Sequence, residues 1–535
     1  MRIEPHLGRG EANYRPLTAL DFLRRAVESF PRRKAVIWGE WSCTYAEFSA
    51  IVHRLAHFLL SKRIRPGDVV SIISSNRPEM LAAHYAVPLI GAVLNSINTR
   101  LDPEAIEYIL KHSESRILIV DPACKTVALQ AAESVDVETV VLPDKATGPV
   151  YEGVLSLFQG ETEPDIDIWR YITDEWQPIC LNYTSGTTGN PKAVVYHHRG
   201  AYLNAIGNVL TLGIGVGSVY LWTLPMFHCN GWCHTWAVTA GGGIHVCLDR
   251  IDPALIFDAI ERHGVTHMSC APVVLYMLLN HPDKANRNSQ NRLTVATGGA
   301  SPTSTLIGEM DALGFDLIHL YGLTESYGPV TLGKLSDEET GFSSSDKAVI
   351  LARQGKRHAT ANHVRVIDKE GQDVPADGVA LGEIVLRGNT LMAGYYGDPE
   401  ATAVAFQDGM FHTGDIAVRH PDGAIEIRDR SKDVIISGGE NISSLEIESV
   451  LHQHPGVLMA AVVARDDPKW GEVPVAFIEL KAMATADAEE LRLFCRQRLA
   501  GFKVPRHFLF RELPKTATGK IQKFALRDIA RSDIA

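Results

Sequence analysis

An α/β protein with a large parallel-sheet part, a shorter antiparallel piece and a small α+β unit at the C-terminal end is the fold this sequence predicts. Three observations carry the expectation. The chain is 535 residues long, β-branched runs alternate with amphipathic stretches over most of it, and the rhythm changes from about Val364.

A chain of 535 residues exceeds what one hydrophobic core organises, so two or more packed units are expected. Val69-Val70-Ser71-Ile72-Ile73 reads as a strand, Pro78 to Leu89 as a helix, and Ile117-Leu118-Ile119-Val120 as a strand again. The alternation recurs through Val194-Val195, His245 to Leu248, Thr266 to Met268 and Thr294 to Ala296. Strands separated by helical stretches imply parallel α/β layers. Beyond Val364 short strands are punctuated by Asp377-Gly378, Asp408-Gly409 and Asp422-Gly423, pairs that suit antiparallel or barrel-like pairing. After Asp429 roughly a hundred residues look α+β, which fits a separate small domain.

Composition limits the partners. Hydrophobic residues make up 45% and charged residues 21%, ordinary for a globular chain, and the net charge of −11 argues against nucleic-acid binding through general basicity. The N-terminus has Pro5, Glu4 and Gly8 where a signal peptide needs an apolar core. The most apolar run, Met80 to Leu94, contains His84 and Pro88 and is too short to span a bilayer, so it reads as a buried helix followed by a strand. No membrane span and a cytoplasmic location are expected. Eight scattered cysteines in mostly apolar stretches suit reduced core thiols. The cluster His228-Cys229-Asn230-Gly231-Trp232-Cys233-His234 lacks the second ligand pair of a structural zinc and reads as an aromatic pocket wall.

One segment concentrates chemistry. Residues 183–192 read Tyr-Thr-Ser-Gly-Thr-Thr-Gly-Asn-Pro-Lys, directly after the strand-like Ile179-Cys180-Leu181. Glycines and small hydroxyl residues there can wrap a polyphosphate with backbone N–H groups and hydroxyls, with Lys192 adding a point charge. Pro191 and Ala193 exclude a Walker A loop, which needs a lysine followed by Ser or Thr opening a helix. Taken alone, Thr-Ser-Gly would equally suit a surface turn.

This segment resembles the phosphate-loop signature of the adenylate-forming superfamily, which joins acyl-CoA synthetases, luciferase-like enzymes and peptide-synthetase adenylation domains. Further signatures stand in the expected order: Tyr321-Gly322-Leu323-Thr324-Glu325, Tyr396-Gly397-Asp398-Pro399-Glu400, Phe411-His412-Thr413-Gly414-Asp415, Asp429-Arg430-Ser431-Lys432-Asp433 and Thr518-Gly519-Lys520. The resemblance runs from about Ala19 to Lys523. It implies a large N-terminal adenylation domain, residues 1–429, of two α/β subdomains and a β-barrel-like subdomain, followed by a small mobile domain, residues 430–535.

The roles below are what that resemblance implies. Thr184, Ser185, Gly186, Thr187, Thr188 and Lys192 would cradle the phosphates of ATP, with Thr188 and Glu325 at a magnesium ion. Thr324 would bond phosphate, Tyr321 and Gly322 would take the adenine, and Gly299-Ala300-Ser301 would line the nucleotide. A buried tyrosine is as readily a core residue, so Tyr321 leans on its neighbours. Asp415 would hold the ribose hydroxyls with Arg430 beside it, whereas Asp422, before Gly423, reads as a hairpin-turn residue. Lys520 would meet the carboxylate and the bridging oxygen during adenylation, Lys432 would be the hinge, and Gly438, Gly439 and Glu440 would lie along the pantetheine arm of coenzyme A.

His228 and Trp232 would line the acyl site, together with Gly299, Tyr321 and Gly322. His228 is either a gate between acyl and thiol channels or a satisfied core histidine. Trp232 offers a wall that shortens the cavity. Ala12 to Leu17, His228 to Trp232 and Gly264-Val265-Thr266-His267 are similar to a subgroup of plant-type acyl-activating enzymes and methylmercaptopropionate–CoA ligases. The subgroup implies a short- to medium-chain acid, with 3-methylmercaptopropionate first and benzoate- or cinnamate-like acids second. Ala535 follows soon after Lys520, so free CoA is the expected acceptor rather than an appended carrier domain. Expected partners are a small carboxylic acid, ATP and CoA, with a homodimer left open.

Overall fold

A computed structural model describes residues 5–144, 165–184, 191–299, 302, 304–430, 432–438, 440–481, 483–515 and 521–532. Four sheets organise them. In a nine-stranded sheet, Lys34–Trp38, Ile244–Cys247, Val219–Trp222, His267–Cys270, Leu293–Thr297 and Phe315–Leu323 run parallel as neighbours. Antiparallel strands close both of its sides. A seven-stranded sheet has Pro178–Tyr183, Val93–Ile97, Val69–Ile73, Ser115–Val120 and Glu138–Val141 in parallel.

The helix Pro78–Leu89 is buried along its whole length. Its starting Pro78 pre-sets helical φ and needs no N–H, whereas Pro88 cannot donate to His84 O, which accepts instead from Trp236 Nε1 at 3.3 Å. The strand Val93–Ile97 follows at once, also buried throughout, so the apolar run is core rather than a span. Among the described residues no helix is long and apolar enough to cross a membrane.

Val194 and Val195 belong to the strand Ala193–His197, which pairs antiparallel to Pro178–Tyr183 rather than parallel. The link between the two is too short for a crossover helix, and a parallel return needs a dozen or more residues. The phosphate-loop signature thus falls between two antiparallel neighbours in the sheet.

The piece beyond Val364 is a four-stranded antiparallel sheet of His363–Ile367, Gly382–Arg387, Phe411–Arg419 and Ile425–Arg430. Asp422-Gly423 is a hairpin turn: Asp422 Oδ1 accepts from Ala424 N at 3.0 Å, and Gly423 N donates to His420 O at 2.9 Å. Asp408-Gly409 instead closes a short 3-10 turn before Phe411, and Asp377-Gly378 lies within a longer connection.

A five-stranded sheet begins at Ile435 and packs its own core of Ile435, Ile447, Leu451, Val462 and Ile478. Two bonds join it to the sheet before it. Asp429 Oδ2 accepts from Ser444 N at 2.6 Å, and Ser443 Oγ donates to Arg428 O. Asp429 therefore caps the helix Ser444–Leu451 from across Arg430 and Lys432.

Candidate active site

The strand Phe315–Leu323 brings Tyr321 and Gly322 to its C-terminal end, where Thr324 and Glu325 follow in the 3-10 turn Thr324–Ser326. The carboxyl ends of parallel strands are where open α/β sheets take ligands. Buried Tyr321 donates its hydroxyl to Asp415 Oδ2 at 2.7 Å, and Asp415 Oδ1 forms an ion pair with Arg430 Nε at 3.2 Å. Burial, and then the Asp415 carboxylate, push the Tyr321 phenol well above its ordinary value, so it remains a donor. Lys432 shares this neighbourhood: burial first, then the Arg430 and Arg527 guanidiniums, lower its ammonium, while Asp415 acts the other way.

Gly322 is fixed by its partner strand. A Cβ there would stand 2.2 Å from Gly328 O and 2.8 Å from Gly328 C, at an irregularity in the pairing with Gly328–Gly333. The family resemblance puts Gly322 in the adenine segment; the structure adds close approach of protein backbone. Gly299 is different, since a Cβ there would meet no described atom within 4 Å.

A second group meets at the hairpin base. Thr184 N donates to Lys192 O at 2.9 Å, and Lys192 N donates to Thr184 Oγ1 at 3.4 Å. Lys192 Nζ lies 4.8 Å from the ring centroid of Tyr395, whose hydroxyl donates to Glu325 Oε1 at 2.8 Å. Burial, and then the Glu325 charge, raise the Tyr395 phenol. An oxygen ligand on a structured turn, beside a phosphate-type lysine, fits a hard cation held jointly with phosphate oxygens.

The segment from Cys229 to Cys233 has an uncommon backbone. Cys229, Asn230, Gly231, Trp232 and Cys233 have φ of 48°, 51°, 61°, 51° and 63°, one left-handed turn in which four residues carry side chains. Several contacts hold it. Asn208 Nδ2 donates to Trp232 O at 2.8 Å, Asn182 Nδ2 to Asn230 Oδ1 at 2.9 Å, and Thr235 Oγ1 to Asn230 O at 3.1 Å. A Cβ on Gly231 would fall 2.4 Å from the Trp222 ring, so glycine answers both the positive φ and the close indole. The Trp232 ring lies 3.1 Å from where a Gly298 Cβ would be, beside the Gly299 turn. Half-buried His228 opens the turn, its N–H on Pro225 O at 3.1 Å, and Cys229 Sγ lies 3.8 Å from Thr324 Oγ1. All eight cysteines are unpaired and buried, and Cys233 Sγ donates to Tyr327 O at 3.3 Å.

Tyr321, Gly322, Thr324, Glu325, Asp415, Arg430, Lys432, Thr184, Lys192, His228, Trp232 and Gly299 thus connect around the two strand ends. Gly438 and Glu440 stand apart, at the hairpin of Ile435–Ser437 and Glu440–Ile442, where Gly438 N donates to Trp470 O at 2.7 Å. Ser185, Gly186, Thr187, Thr188, Ala300, Ser301, Gly439 and Lys520 lie outside the described residues. Tyr395 was not singled out by the sequence. Nothing in its spacing separates it from Tyr396; only its pairing opposite Val194 does.

Known proteins similar to this chain bear on its family and fold. Residues 23–396 match the AMP-binding enzyme model, and residues 446–520 match the AMP-binding enzyme C-terminal domain. The chain is 44% identical to a peroxisomal butyrate–CoA ligase of Arabidopsis thaliana, over 98% of this chain and 94% of that one. It is 42% identical to a peroxisomal trans-cinnamate:CoA ligase of Petunia hybrida, over 97% and 95%. Among solved structures, o-succinylbenzoate CoA synthetase from Bacillus subtilis, in complex with its acyl-adenylate intermediate, superposes with a TM-score of 0.81. It is 30% identical, with 95% of this chain and 98% of that chain covered.

Proposed function

This chain belongs to the AMP-binding enzyme family and is an ATP-dependent acid–CoA ligase, and from that premise we propose that its acid is compact, with 3-methylmercaptopropionate the first choice. The observation that carries the proposal is the Trp232 indole set against the Gly298-Gly299 turn, beside the Cys229–Thr324 contact. A bulky wall there shortens the acyl cavity, and a thioether sulfur packs well on an indole. Benzoate- and cinnamate-like acids are the second choice, because a flat ring also fits against such a wall.

In the proposed reaction a carboxylate oxygen attacks the α-phosphorus of ATP and pyrophosphate leaves. The thiol of CoA then loses its proton to solvent, its sulfur attacks the acyl carbon, and AMP leaves. Two anions must first be brought together, so positive charge and alignment dominate the first step. Lys192 and the loop from Thr184 to Thr188 take the β- and γ-phosphates, and Thr324 and the Gly299-to-Ser301 turn hold the nucleotide. Tyr321 gives adenine a flat face and Asp415, steadied by Arg430, accepts the ribose hydroxyls. Glu325 and Thr188 would hold magnesium, which offsets phosphate charge. Lys520 meets the carboxylate. Lys432 is the proposed hinge between residues 1–429 and 430–535, bringing Gly438, Gly439 and Glu440 along the pantetheine, with His228 gating the thiol. The cytoplasm is the proposed location, although both plant relatives are named peroxisomal; fractionation against a peroxisomal marker decides.

CoA-dependent AMP release is the test, across 3-methylmercaptopropionate, butyrate, octanoate, benzoate and cinnamate. The highest kcat/KM is expected for the thioether acid. A clear preference for octanoate sinks the compact-pocket proposal, and acyl-adenylate that CoA leaves unchanged sinks the acceptor. Trp232→Gly sharpens it. We expect octanoate to gain about 10-fold or more in kcat/KM against butyrate, the scale of a few methylenes in a pocket. Thermal unfolding should show less than the usual 3–5 kcal/mol cost, roughly, of deleting a large aromatic, since φ of 51° suits glycine.

A further inference from the structure

We propose that Tyr395 is a positioning residue that joins Glu325 to Lys192, so that the metal-binding carboxylate and the phosphate-binding lysine are set as one unit. The inference rests on the ligase reading and adds a residue to it. The Tyr395 hydroxyl donates to Glu325 Oε1 at 2.8 Å while its ring faces Lys192 Nζ at 4.8 Å. One side chain thereby fixes the plane of a carboxylate and the place of an ammonium that come from separate sheets.

Its own support is unusually complete. Gly394–Tyr395 pairs antiparallel with Ala193–His197, placing Tyr395 opposite Val194, two residues beyond Lys192. Tyr395 N donates to Thr402 Oγ1 at 3.0 Å, and Tyr396 N donates to Ala193 O at 2.8 Å. The same segment reaches back to the turn that bears Glu325, because Met392 N donates to Glu325 O at 2.8 Å. Residues 392–396 therefore grip Glu325 by carbonyl and carboxylate and grip the start of the Lys192 strand by its backbone. A carboxylate held by one donor keeps lone pairs for a cation, and pre-orientation lowers the cost of binding it.

Calorimetry of ATP binding, without acid and with or without magnesium, separates the two halves of the unit. Tyr395→Phe keeps the ring but loses the hydroxyl. Its metal-free ATP affinity should stay within about 2-fold of wild type, while the magnesium-dependent gain in affinity shrinks about 5-fold, the scale of one charge-assisted hydrogen bond. Tyr395→Leu loses the ring as well, and its metal-free affinity should fall a further 2- to 5-fold or so, the scale of an exposed cation–π contact. Thermal unfolding of both variants identifies a folding defect. A Phe variant with the wild-type magnesium gain overturns the inference, and so does an equal loss with and without metal. Wild-type protein that binds no ATP under either condition overturns the ligase reading itself.

Discussion

Lys520→Ala should cut acid-dependent ATP–pyrophosphate exchange by about 10²–10³-fold, the cost of removing one preorganised charged donor from a developing anion. Adenylation brings a carboxylate to a polyphosphate, and in the proposed role the lysine's charge would matter most where the bridging oxygen gathers negative charge. Thioester formation from supplied acyl-adenylate and CoA should keep most of its rate, because no phosphoanhydride bond breaks in that step. The neighbouring lysines are the controls. Lys515 pairs with Glu479 at 2.9 Å and Lys523 with buried Glu448 at 2.8 Å, so both have structural partners within the small sheet's unit. Lys515→Ala is expected to lower stability slightly and leave exchange within about 3-fold, as for an ordinary partly exposed ion pair. Exchange at the wild-type rate in the Lys520 variant would remove that residue from the mechanism.

Gly322→Ala should be the most damaging single methyl group added to the site. Its Cβ would overlap the carbonyl of Gly328, 2.2 Å from the oxygen, and the obstacle is backbone rather than a side chain that can turn away. Separating the strands Phe315–Leu323 and Gly328–Gly333 would disturb Tyr321 on one side and Thr324 on the other. Overpacking of this kind costs about 3 kcal/mol, near the top of its usual range. Urea unfolding measures that loss, and ATP affinity should fall at least about 10-fold if the strand end moves by a fraction of an ångström. Gly299→Ala, whose Cβ would meet no described atom within 4 Å, is the comparison: its expected cost comes from φ of 80°. Equal midpoints for the two variants would contradict the overlap argument.

Much of the architecture is legible in local pattern. Val69 to Ile73 and Pro78 to Leu89 have the bounds their residues suggest, because β-branched runs and an N-terminal proline act on neighbouring backbone. The opposition of Asp415 and Arg430 is also nearly legible, since they flank the Asp422-Gly423 turn symmetrically, although the pairing nearer the turn is offset by one irregularity between Ile416 and Ala417. Strand direction is less so. The antiparallel return at Val194 follows from the short link after Tyr183, which alternation of elements alone does not weigh. Least legible are the side-chain links. Tyr321 and Asp415 are 94 residues apart, and Glu325 and Tyr395 are 70 apart, so no periodicity relates them. Such pairs follow from how sheets are placed against one another.

The left-handed turn from Cys229 to Cys233 also bears on the order of folding. Each residue with a side chain costs about 1–2 kcal/mol in this conformation, so the chain gains nothing by forming the turn on its own. It becomes favourable once Asn182, Asn208 and Trp222 are in place to hold it, and those belong to a strand of each large sheet and to the helix His198–Leu212. This turn is therefore expected to form late in folding, on scaffolding already built. In the native state it should be among the first parts of the interior to open, and amide exchange at Trp232 should outpace exchange in the strands beneath it.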